Sequence, residues 1–325
     1  MDASSDSTVD GSIDLPDGCR LRRPDPDDLR AIDRLGAACD EAVGATPTLS
    51  EDLIRQLWGR PRFALETDAW VVESAGGLVG YGQVWDEDAE HLAAFGLVQP
   101  DHTGRGIGSA LTALIERRAA EKARGAARLL CAATPQDDAA ARLLADRGYV
   151  WARRFWHMEV DLDRAPAAPR PPAGIRLRPL DPERDLPAAH RILEEAFRDN
   201  WEHTVTSYQE FLDQNVRQDD FDPSLWIVAE DADAHDAVGV LNANAGSDGG
   251  WVGELGVLRS HRGLGIASAM LGASFAEFRR RGLPRAGLNV DSDNQSGAVS
   301  LYEKMGMAVA GSYDLWARTI RGTQA

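Results

Sequence analysis

The sequence predicts an α/β (α+β) protein built as two tandem copies of one unit, each a mixed, mostly antiparallel sheet with helices on both faces. Three observations predict it. First, a glycine-rich strand–turn–helix segment occurs twice in register: Val257, Gly265 and Ala267 of Val257-Leu-Arg-Ser-His-Arg-Gly-Leu-Gly-Ile-Ala267 each lie 159 residues after Val98, Gly106 and Gly108 of Val98-Gln-Pro-Asp-His-Thr-Gly-Arg-Gly-Ile-Gly108. The register extends upstream to Val238-Gly239-Val240 against Val79-Gly80-Tyr81, and downstream, at 158, to Gly306 against Gly148. Second, residues 163–174 are rich in Pro and Ala, which reads as an extended, semi-rigid linker because each Pro fixes φ and blocks helix. Third, both halves open alike, with alternating Arg20-Leu21-Arg22 and Arg176-Leu177-Arg178. The expected organisation is an acidic tail without fixed structure over 1–17, a first domain over 18–162, the linker, and a second domain over 175–325.

In the second half the elements follow in order. Residues 183–198 and 206–217 read as helices, 225–230 as a strand, and 237–245 as its hairpin partner. Residues 251–258 form the central strand, followed by the glycine turn and a helix over 265–281 whose apolar face is Ile266, Ala269, Met270, Ala273 and Phe278. A strand over 285–291, a helix over 295–304 and closing strands over 307–320 complete the unit.

Composition excludes several classes. A chain of 325 residues suits two cores, and 43% hydrophobic content fills both. No apolar run reaches 18 residues, and the first residues lack the basic and apolar regions of a signal peptide. Cys19, Cys39 and Cys131 are too few and too far apart for a disulfide framework or zinc site, so a reducing cytoplasm is expected. No histidine pair has metal-ligand spacing, and no metal is expected. A net charge of −17 repels nucleic acid and anionic membrane and attracts a cationic small molecule. A monomer and a homodimer both fit the composition.

The glycine turn suits a pyrophosphate. A strand ending at Val257 delivers the chain to a helix N-terminus, where unpaired N–H groups and the helix dipole favour an anion. Gly263 and Gly265 leave the backbone open, Ala267 stays small, and Arg262 offers a charge-assisted hydrogen bond. The Lys-Ser/Thr of a nucleoside-triphosphate loop is absent, and the spacing does not fit a dinucleotide fingerprint.

Thirty-two residues after Arg262 begins Asn294-Gln-Ser-Gly-Ala-Val-Ser-Leu-Tyr-Glu-Lys-Met-Gly-Met307. With these two motifs at this spacing the sequence resembles the GNAT superfamily of acetyl-CoA-dependent N-acetyltransferases. The resemblance covers both halves, and the layout is similar to mycothiol-synthase-type tandem acetyltransferases of actinobacteria. It implies a central strand splayed from its neighbour, with acetyl-CoA held by Val257, Leu258, Arg262, Gly263, Leu264, Gly265, Ile266, Ala267 and Asn294. It implies Tyr302 as the general acid that protonates the departing thiolate. The positions where family members often carry a base hold Trp251 and Asn289, so Glu254 is the candidate base, with Asp291 second. The direction of Glu254 depends on where the strand bulges. Trp201, Glu202, His203 and Trp226 are candidate acceptor-binding residues for a small, polar, primary amine.

The first copy keeps Val98, Gly104, Arg105, Gly106, Ile107 and Gly108 as a second candidate cofactor cradle, but Thr103 replaces the arginine, Gln136 replaces Asn294, and Leu144 falls where Tyr302 lies. Chemistry is therefore expected in the second copy. A mycothiol-synthase-like or protein-directed acetyltransferase, and a non-catalytic acyl-CoA-binding regulator, remain alternative readings.

Overall fold

A computed structural model of the chain describes residues 13–47, 49–88, 90–218, 220–247, 249–294 and 296–322. In chain order the elements are β1 (Arg20–Arg22), α1 (Leu29–Ala42), α2 (Glu51–Trp58), α3 (Leu65–Asp68), β2 (Ala69–Ser74), β3 (Gly77–Asp86), β4 (His91–Val98), α4 (Ile107–Lys122), β5 (Ala126–Ala133), α5 (Asp138–Asp146) and β6 (Val150–Asp161). There follow β7 (Ile175–Pro179), α6 (Pro182–Phe197), α7 (Tyr208–Asn215), β8 (Ile227–Asp231), β9 (Ala237–Ala245), β10 (Gly250–Val257), α8 (Ile266–Arg280), β11 (Arg285–Asp291), α9 (Ala298–Lys304) and β12 (Ala308–Arg321). Among the described residues no helix is long and apolar enough to cross a membrane.

The elements form two compact units, but not at the boundaries the linear reading sets. The first unit runs to Arg153 and resumes at Tyr313; the second is Arg154–Ser312. The reason is an exchange of closing strands. β6 pairs antiparallel with β11, from Phe155↔Asp291 to Asp161↔Arg285. β12, one strand where closing strands of the second domain were expected, pairs with β5 from Asp314↔Ala133 to Arg321↔Ala126. Each half thus ends in the strand that completes the sheet of the other.

In the first unit the strand order is β1-β2-β3-β4-β5-β12, with β4 and β5 parallel and the other pairs antiparallel. One face buries Ile107, Leu111, Leu114 and Ile115 of α4. The other buries Ile32 and Leu35 of α1 with Ile54 of α2. Of the expected tail, residues 1–12 lie outside the described residues, whereas Ile13 and Leu15 pack against the α4-side core.

The second unit repeats the plan as β7-β8-β9-β10-β11-β6. On one face α8 buries Met270, Phe275 and Phe278, each side chain contributing roughly 2–3 kcal/mol by burial. On the other, α6 buries Leu186, Ala189, Ile192 and Leu193. Asp181 caps α6 by accepting the Glu183 N–H at 3.1 Å, and Ser207 with Glu210 forms a capping box that starts α7 at Tyr208, two residues later than expected. The 163–174 segment lies along this unit: an added Cβ at Gly272 of α8 would sit 2.8 Å from Pro169, and one at Gly306 3.0 Å from Pro166. Gln295, the expected start of the last helix, lies outside the described residues; α9 starts after Gly297, which has φ 81°.

Candidate active site

In the second unit β10 and β11 run parallel but pair only at Gly250↔Ala286 and Trp251↔Gly287. Beyond Trp251 the strands part, and β10 keeps only β9 as a neighbour down to Val257↔Gly239. Leu258 N–H turns to Val238 O at 2.9 Å, so the two-residue period of the strand turns the N–H groups of Leu255 and Val257 to the open side. Leu258, expected to touch the cofactor, therefore has its own N–H occupied.

A bulge sits in β10 between Val252 and Glu254. Counting by twos places Glu254 with Val252; the extra Gly253 instead leaves Val252, Leu255 and Val257 on the α8 core, while Glu254 shares the α6 face with Gly256. A Cβ at Gly253 would lie 2.4 Å from Asn242 Oδ1, so the glycine leaves room for that amide to sit where it does. That oxygen accepts the Glu254 N–H at 2.6 Å, while Asn242 Nδ2 donates to Glu254 Oε2 at 2.7 Å and lies 3.3 Å from Asn215 Oδ1. Burial pushes the Glu254 carboxyl up to about 7, the Asn242 amide opposes the rise, and the negative charge of Glu194 adds to it. A carboxyl held near neutrality beside an open strand gap is suited to proton abstraction.

The glycine turn has the geometry its sequence predicts. Gly263 and Gly265 adopt φ of 79° and 87°, a Cβ at either would meet nothing within 4 Å, and no side chain caps α8. This open, positive end fits the pyrophosphate of an acyl-CoA, with Leu264, Ile266 and Ala267 supplying neighbouring backbone. Arg262 is also anchored within the turn. Its guanidinium donates to Val257 O and Ala196 O, both at 3.1 Å, bracing the turn against the end of α6. Asn294 shapes its loop, accepting the Ser296 N–H at 2.9 Å.

Tyr302, on α9, packs half-buried against the α8-side core, and burial pushes its hydroxyl up to about 12, so it stays protonated at neutral pH. Trp201, Glu202 and His203 lie between α6 and α7. Trp226 does not line a pocket: it is 3% exposed, edge-on to Phe211 and Phe221 in the α6-side core. A bulky aromatic next to apolar strand residues is satisfied by packing, and that reading fits the structure. Asp291 pairs with Phe155 at the end of β11. Trp251 stacks on His157 of β6 at 5.5 Å, and His157 Nδ1 lies 3.3 Å from Asn289 Oδ1. Sequence reasoning missed His157, Asn242 and Glu194, because each reaches the site through tertiary approach rather than through a motif.

The first unit keeps the open glycine turn with different side chains around it. Gly104 and Gly106 have φ of 72° and 95°, and α4 follows without a side-chain cap, while Thr103 Oγ1 is spent on Pro100 O. In ladder register Asn242↔Glu254 corresponds to Gln83↔Phe95, and β4 carries no bulge. Phe95 packs on buried Tyr81, whose hydroxyl donates to Gln83 and accepts from Trp58 Nε1. Leu144, 7% exposed, is core. The face that holds a carboxylate in the second unit is filled by aromatic rings in the first.

Residues 186–307 match the acetyltransferase (GNAT) family, and residues 66–150 match a GNAT acetyltransferase domain. The chain is 32% identical over 292 residues to the mycothiol acetyltransferase of Thermobispora bispora, covering 87% of this chain and 94% of that protein. It is similar to the crystal structure of a GCN5-related N-acetyltransferase from Sphaerobacter thermophilus, with a TM-score of 0.80 and 32% identity over 96% of this chain and 99% of that one. A tandem GNAT protein from the clavulanic acid biosynthesis pathway shares the fold, with a TM-score of 0.67, 21% identity, and coverage of 93% and 98%.

Proposed function

The chain belongs to the GNAT acetyltransferase family, and from that premise we propose that its second unit moves an acetyl group from acetyl-CoA to the primary amine of a small polar metabolite. The observation that carries this reading is Glu254, held near neutrality at the bulge where β10 leaves β11. A bound acetyl-CoA supplies the activated acyl group as a thioester. The uncapped start of α8, with Gly263 and Gly265, would hold its pyrophosphate.

The residues of the chain do the rest. Glu254 takes the ammonium proton, directly or through a water, because only the neutral amine is a nucleophile. The N–H groups of Leu255 and Val257, turned to the gap, can stabilise negative charge on the thioester oxygen. Tyr302 gives its proton to the departing thiolate. The overall charge of −17 favours a cationic acceptor approaching the site. The name of the Thermobispora bispora relative adds a specific acceptor reading, a mycothiol-type amine. The three cysteines are unpaired, and we place the protein in a reducing cytoplasm.

The test is thiol release from acetyl-CoA against a panel of primary amines that includes the free-amine form of mycothiol, with Tyr302→Phe alongside. Turnover of one amine class that falls at least tenfold in the variant, about 1.4 kcal/mol of transition-state stabilisation, supports the reading. Tight acetyl-CoA binding with no thiol released for any amine favours a cofactor-binding regulator instead.

A further inference from the structure

Across β11 and β6 the sheet turns one face to α8 and the other away from it. Met158, Val160, Ala286, Leu288 and Val290 belong to the α8-side core. The alternate residues share the opposite face, where Gly287 pairs with Glu159 and Asn289 with His157. Asn289 is exposed there, Trp251, His157 and Glu159 are half-buried, and only Gly287 is covered. Two rings cover it. A Cβ at Gly287 would lie 3.2 Å from the six-membered ring of Trp251 and 3.3 Å from Cε1 of His157. The rings stack at 5.5 Å with planes 14° apart. His157 is held in turn by Glu159 Oε1, 2.9 Å from Nε2, and lies 3.3 Å from Asn289 Oδ1 through Nδ1.

This floor is continuous with Glu254. Trp251 pairs with Asn244 and Glu254 with Asn242, so the two positions share a face about 7 Å apart along β9. Trp251 is also the last residue of β10 paired with β11 before the gap opens. Resting on the acetyl-transfer reading above, we propose that this floor seats the amine acceptor: Trp251 takes an apolar ring face of the acceptor, and His157 is a positioning residue that holds the indole over Gly287. An aromatic whose role is packing alone is buried, as Trp226 is at 3% exposure. Trp251 instead keeps part of its surface open, locked against a second ring and bordered by an amide and a carboxylate. A ring covers a rigid flat patch of this kind with less loss of rotamer freedom than a linear chain does. The acceptor class is therefore a primary amine with a ring in its body, its polar edge facing Asn289 and Glu159.

The experiment compares cyclohexylmethylamine with n-heptylamine, primary amines of equal carbon number, by thiol release and by fluorine-19 NMR. The full-length protein is labelled with 5-fluorotryptophan, and the Trp251 signal is assigned by its loss in Trp251→Phe. The cyclic amine should show the lower KM, by about threefold or more, and should move the Trp251 signal. His157→Ala should raise that KM about threefold or more with KM for acetyl-CoA unchanged, and His157→Phe, which keeps a ring against the indole, should restore it. Gly287→Ala pushes on both rings and should act as His157→Ala does; it decides alone if the histidine variant does not fold. Equal KM values for the two amines, or a KM for the cyclic amine unmoved in the folded variants, overturns the proposal while leaving acetyl transfer intact. Where neither amine is turned over, the signal decides: moved by the cyclic amine and not the linear one it supports the seat, and otherwise it overturns it. Failure to acetylate any amine refutes the acetyl-transfer reading separately.

Discussion

Replacing Glu254 with glutamine removes a charge that the fold holds at a cost. Burial moves the midpoint of this carboxyl from 4.5 to about 7, a difference on the order of 3 kcal/mol between ionised and neutral forms. Between those two pH values the folded protein keeps a proton that the unfolded chain has released. Stability attributable to this group therefore falls as pH rises through the window, and the full penalty is present above about 7. Glutamine has no proton to lose. Relative to wild type, Glu254→Gln should gain stability between pH 4.5 and 7, reaching about 3 kcal/mol at pH 8, while thiol release falls about 100-fold or more. Urea denaturation of both proteins at pH 4.5 and pH 8, with the thiol assay on the same samples, reads both effects. A stability difference that is the same at the two pH values would refute the desolvated placement of Glu254, and undiminished turnover would refute its role as base.

Three further outcomes follow from the same geometry. Gly253→Ala places a methyl group where Asn242 Oδ1 stands, 2.4 Å away, so it should displace the amide that steadies ionised Glu254 and move the acid limb of kcat/KM upward. Gly265→Val forces a β-branched residue to φ 87°, costing about 1–2 kcal/mol, and should weaken acetyl-CoA binding measured by calorimetry. Because Tyr302 keeps its proton to about 12, the rate against pH should show no basic limb from this group below about pH 10.

The parts legible in the sequence were those encoded by local backbone chemistry. The matched glycines marked a backbone left open to an anion where a helix begins in each copy, and Gly106 and Gly265 stand at the starts of α4 and α8. The sheet-and-helix order of the second half, up to its closing strand, followed from period-two and period-three-to-four patterning. The orientation of Glu254 was not legible, because a one-residue bulge leaves no mark in a pattern of Gly, Val and Leu. Asn242 carried a weak signal, since its counterpart in the first copy is the equally polar Gln83 on an otherwise apolar strand. Glu194 carried none: a glutamate on an amphipathic helix reads as solvent-facing until a loop folds over it. The strand exchange was hidden by the repeat itself. β6 and β12 follow the same turn and helix in their copies, so either strand satisfies the register beside β5 or β11.

That exchange bears on how the gene can change. A recombination event that discarded the first half of the reading frame would also discard Phe155–Asp161, leaving Arg285–Asp291 as a bare sheet edge open to pairing with other chains. His157, which stacks on Trp251, would be lost with it. Phe95 and Leu144 pack in the first unit's own cores, so the strand that this half lends to the other sheet does not depend on them. The first half thus answers to two demands at once: its own cores, and a neighbour's need for one strand.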